Sequence, residues 1–173
     1  MSNFVQASDF ESGETKISTT QYSVSELQAF IDAIEPSLLR HLLGCDLYAD
    51  FIADWEADPV DSFAELRFKT IYEAFCKDDE YGIIESLGIK EMLKYIIYYL
   101  YTRGQVTSKR VTGFVKEKND NSEAASAIDA ATFSKYNEGI LTYSSIQWYI
   151  EENPDAYDYD KYNGQLKQLI SWI

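Results

Sequence analysis

LGIKEMLKYIIYYLYTRG, residues 87–104, decides how the rest of the chain is read. Ile89, Met92, Leu93, Ile96, Ile97 and Leu100 recur every three and four residues, which places them on one stripe of an α-helix. Tyr95, Tyr98, Tyr99 and Tyr101 then cover most of the remaining circumference. A helix that is apolar or aromatic nearly all round is central in its domain or packed against another chain. Tyrosine offers a large apolar ring with a hydroxyl that tolerates water, so Tyr95, Tyr98 and Tyr99 are candidate interface residues.

Upstream, Ser23-Val24-Ser25-Glu26 has the form of a capping box and predicts a helix start. Val24, Leu27, Phe30, Ile31 and Ile34 give that helix one apolar face, and Glu35 before Pro36 predicts a break or kink. Pro36 then suits the first turn of a second helix carrying Leu38, Leu39, Leu42 and Leu43, closed by Gly44. A further helix bears Leu47, Tyr48, Phe51, Ile52 and Trp55 on one side and Asp46, Asp50 and Asp54 on the other, until Pro59. Those aspartates read as a solvated face, since no second ligand group converges on them. The stretch 61–87 is ambiguous between helix and strand, with helix preferred and KDDEYG as a turn.

Downstream of the tyrosine helix, residues 103–118 hold Arg103, Lys109, Arg110, Lys116 and Lys118 against the single acid Glu117. Val111, Gly113 and Val115 alternate with Thr112, Phe114 and Lys116, so a short β-hairpin or extended arm is expected near 105–118. On a chain of net charge −14, this segment is the one suited to an acidic partner, including a second copy of the chain. The plain alternative is a solvated loop with scattered lysines. Asn121 or Ser122 then caps a long helix, about 122–152, with Phe133, Tyr136, Ile140, Tyr143, Gln147 and Ile150 on its stripe and Gly139 as a place to bend. At the end, Leu166, Leu169, Ile170 and Ile173 share one helical face and predict a docking helix.

The expected architecture is therefore mainly α: a helical bundle with one long helix, the short hairpin or arm, and a flexible N-terminal arm. Residues 1–22 form that arm and residues 23–173 a single domain that includes the 103–122 connection. No apolar run approaches the roughly 18 residues a membrane span requires, and the N-terminus has no secretion-signal pattern, so a soluble protein is expected. Cys45 and Cys76 sit in apolar-periodic segments and are expected to be buried free thiols.

The sequence nominates no catalytic residue, cofactor site or metal ligand set. His41, the only histidine, stands between Arg40 and Leu42 without a second ligand at metal spacing. GxSxG, Walker A and GxGxxG patterns are absent. The charge opposes general binding to nucleic acid phosphates, which needs a surplus of Lys and Arg.

Taken in order, Glu26-Leu27, LLRHLLGCDLYADF (38–51), GIKEMLKYIIYYLYTRGQ (88–105) and VTGFVKEKNDNSEAAS (111–126) resemble the head-to-tail connector proteins of tailed bacteriophages, also called adaptor or head-completion proteins. The resemblance spans about residues 20–150 and does not reach DAYDYDKYNG, 155–164. It implies a structural, non-enzymatic virion subunit, made in the host cytoplasm and placed at the head-tail junction. It further implies a ring of about a dozen copies under the portal protein, which extends the DNA channel and docks the tail or further connector proteins. DNA would pass without sequence-specific binding. The interface residues under this reading are Arg103, Lys109, Arg110, Gly113, Phe114, Lys116, Tyr95, Tyr98 and Tyr99. The alternative is a stand-alone acidic interaction protein, such as a DNA mimic that occupies the basic groove of a host nucleic-acid-binding protein.

Overall fold

The computed structural model describes residues 3–17, 23–57, 63–79, 82–106, 109–110, 113–114, 122–157 and 162–169. It is mainly helical, with two small antiparallel hairpins. A 3-10 turn at Ala7–Phe10 precedes α1 (Val24–Leu43), α2 (Cys45–Ala57) and α3 (Leu66–Tyr72). The first hairpin is β1 (Phe75–Asp79) with β2 (Gly82–Ser86), in a register that pairs Phe75 with Ser86 and Asp79 with Gly82. Then come α4 (Ile89–Val106), the short hairpin β3 (Lys109–Arg110) with β4 (Gly113–Phe114), α5 (Ser122–Glu152) and α6 (Pro154–Tyr157).

The quoted stretch is the centre of the molecule. Ile89, Met92, Leu93, Ile96 and Ile97 of α4 are buried, and they pack on Ile140, Tyr143, Ile146 and Ile150 of α5 and on the leucine stripe of α1. Helices α4 and α5 run antiparallel, since Tyr99 meets Phe133 and Tyr136 while Ile96 meets Gly139. The expected bend at Gly139 has a different physical meaning. A Cβ there would stand 3.0 Å from Ile96 Cγ1 and 3.2 Å from Tyr95 Cβ, so the glycine lets the two helices approach closely.

The expected break at Pro36 does not occur, and α1 is one helix of 20 residues with the proline inside. Proline removes one intrahelical bond and disfavours the helical conformation of Glu35 before it. Leu27, Ile31, Leu38, Leu39, Leu42 and Leu43 fall on the same buried side across the proline, and their burial holds both halves in one helix. At its start Ser23 Oγ accepts from the Glu26 amide at 3.2 Å. At its end Gly44, with φ of 79°, turns the chain into α2.

Three further expectations are corrected. The ambiguous stretch is both helix and strand: α3 ends at Tyr72 and the β1–β2 hairpin follows, packed on the C-terminal half of α5 through Phe75 and Tyr149, ring centroids 4.9 Å apart. Both cysteines are free but exposed, Cys45 because it opens α2 at the Gly44 corner and Cys76 because strand alternation turns it away from the inward Phe75. The tail segment 162–169 is not a helix; it docks through its backbone, with the Gln165 amide donating to His41 O at 2.6 Å and Tyr143 and Gln147 donating to Gln165 O. Leu166 and Leu169 stay exposed, and Ile170 and Ile173 lie outside the described residues.

The N-terminal segment 3–17 is not a free arm. Phe4, Val5, Ala7, Phe10 and Ile17 are buried in the common core. Phe4 sits in an aromatic cluster with its ring centroid 4.8 Å from Trp55, 5.3 Å from Phe51 and 5.7 Å from Tyr72. Burial of five apolar side chains in so short a span offsets a large part of the cost of ordering it.

Candidate interaction surface

The tyrosine helix and the basic connection are the parts of the sequence suited to a partner. Tyr99 is only 4 % exposed, and its ring packs on Tyr136 at 4.5 Å and on Phe133 at 5.5 Å. One turn further on, exposed Arg103 donates from Nη1 to the Tyr99 hydroxyl and lays its guanidinium near the rings of Tyr99 and Phe133, at 5.7 and 5.9 Å. The spacing of four residues along α4 brings the two side chains together. Tyr99 thus serves the seam between α4 and α5, whereas Tyr95 and Tyr98 are half-buried and keep part of their surface at the rim.

Beside that seam is a charged knot that the sequence reading missed. Lys135 on α5 donates to Glu138 one turn on, at 2.9 Å, and to Glu14 of the N-terminal segment, and it lies 5.0 Å from the centre of the Tyr95 ring. The hydrogen bond to Glu14, with Glu138 added, holds the Lys135 ammonium above its usual range against the opposing effect of burial. Burial pushes the Tyr95 phenol up. A Lys-x-x-Glu pair on a predicted helix was a legible signal for half of the knot; Glu14, 121 residues away, was not.

Beyond the seam α4 ends and the β3–β4 hairpin begins. Lys109 pairs with Phe114 and Arg110 with Gly113, so the hairpin expected near 105–118 is present in its central part, while Gln105 and Val106 still belong to α4. Lys116 lies outside the described residues. The chain therefore places Lys109 and Arg110 on the connection at one end of its longest helix pair.

Elsewhere the polar side chains act locally. Asp54 of α2 accepts from the Glu65 amide at 3.1 Å, which ties α2 to the segment that enters α3. His41 lines a shallow cleft of about 300 Å³ with Ser37, Arg40, Cys45, Asn163 and Gln165. Among the described residues no group of three or more His, Cys, Asp or Glu side chains is placed to hold a metal ion. No helix among them is long and apolar enough to cross a membrane. Comparison with protein families, curated proteins and solved structures gives no significant match to the chain.

Proposed function

We propose that the chain is a structural, non-catalytic subunit of the head-to-tail connector of a tailed bacteriophage, assembling as a ring with the portal protein and the tail. The observation that carries the reading is the contrast in charge. A chain of net −14 gathers Lys109, Arg110, Lys116 and Lys118 on the connection between its central helix and its longest one, with Arg103 in the last turn of α4 just before it. Such a segment is attracted to acidic surfaces, including those of a neighbouring copy, and steers assembly. The order of the resembling segments supports the same reading, and the acidic remainder suits a wall along which DNA slides without adhering.

Replacing Lys109, Arg110 and Lys116 together by Gln tests it. Incorporation into particles is expected to fall at least about tenfold while the helical circular dichroism is kept. Incorporation at the level of the unaltered chain would contradict the reading.

A second reading, an acidic mimic of nucleic acid, draws on Asp46 and Asp50, which are exposed one turn apart on α2. It predicts salt-sensitive capture of a basic nucleic-acid-binding protein that the same triple substitution leaves unchanged.

A further inference from the structure

Residues 3–17 run as a strap over the helices, and each helix they meet holds them differently. Asn3 donates to Asp32 of α1, Phe4 enters the aromatic cluster of α2 and α3, Asp9 pairs with Lys90 of α4 at 3.0 Å, and Glu14 binds Lys135 of α5. One attachment is deeply buried and polar. Glu35, 3 % exposed, accepts from the Phe4 amide through Oε1 and from the Val5 amide through Oε2, both at 3.0 Å. Among the described residues no ion pair involves it.

The groups around Glu35 make its charge harder to keep. Asp32 on α1 and Asp9 on the strap repel it, and Lys90 of α4 is engaged with Asp9. From α2, Tyr48 and Glu56 line the small cavity beside it, and from α3 the Tyr72 phenol feels its charge. A buried carboxylate in such company is relieved when the strap lifts and water reaches it.

We propose that Glu35 is a proton-operated latch: its neutral carboxyl holds the strap closed, and its ionisation loosens the strap from the remaining fold. Burial, partly offset by the two amide bonds, pushes the closed-state carboxyl from 4.5 up to about 7. The closed state thus binds the proton more tightly than an open, hydrated one. Closure gains strength as pH falls through about 7, and the gain is complete below 4.5. Between those limits the opening equilibrium rises by up to about tenfold per pH unit.

The test is amide hydrogen exchange on the full chain between pH 5.5 and 8.5, each rate corrected for its intrinsic pH dependence. Protection at Phe4, Val5 and Ala7 should drop at least about tenfold across this range, while protection at Ile96 and Ile97 in α4 holds. In Glu35→Gln the strap amides should lose this dependence. Strap protection that is flat with pH in the unaltered chain, or that falls together with α4, would overturn the proposal. So would an undiminished pH dependence in Glu35→Gln. Should that variant fail to fold, the comparison of strap with α4 in the unaltered chain decides by itself.

Discussion

At the scale of single residues, two glycines at positive φ separate backbone strain from steric conflict. Gly13 has φ of 81° with nothing within 4 Å of an added Cβ, whereas Gly88 has φ of 85° and a Cβ there would meet Tyr72 O at 2.4 Å. Gly13→Ala should cost about 1 kcal/mol. Gly88→Ala should cost about 2 kcal/mol or more, because α3 must also shift. Urea denaturation of both variants checks the order. Phe51, fully buried between Phe63 and Phe68, should cost about 3–5 kcal/mol on replacement by Ala. Burial of Phe51 was legible from its place on the α2 stripe. Burial of Glu35 was legible in principle, since Leu27, Ile31, Glu35 and Leu39 step by four along one face of α1. What hid it was Pro36, which invited a helix boundary at that very residue.

At the scale of elements, the seam between α4 and α5 rests on the Tyr99 ring rather than its hydroxyl. Tyr99→Phe removes the bond from exposed Arg103 and should change stability by less than about 1 kcal/mol. Tyr99→Ala empties the contact with Phe133 and Tyr136 and should cost about 3 kcal/mol. Equal losses for the two variants in denaturant unfolding would contradict this account. Helices α2, α4 and α5 were legible because their stripes run unbroken. The β1–β2 hairpin was not, because FCKDD lacks an apolar alternation and its place is set by Phe75 on distant Tyr149. Docking of the tail was expected, but not its form: the contacts are made by the backbone of Gln165, close to Gly164, and side-chain periodicity carries no trace of them.

At the scale of the whole molecule, the N-terminal strap completes the core. Deleting residues 1–17 takes Phe4, Val5, Ala7, Phe10 and Ile17 out of the core and bares the aromatic cluster of Phe51, Trp55, Phe63 and Tyr72. The truncated chain should bind a hydrophobic dye more strongly than the intact chain; dye fluorescence checks this. The candidate surface was legible as composition, since five basic residues cluster on a chain of net −14. The division of labour among the tyrosines was not, because Tyr99 and Tyr98 are neighbours in sequence and only the position of α5 decides which is buried. The proposed function is tested most directly by the copy number of the chain relative to the portal protein, by quantitative mass spectrometry, in purified phage particles from its source. The account predicts about one copy per portal subunit, as two stacked rings of matched symmetry require. Absence of the chain from the particle would contradict it.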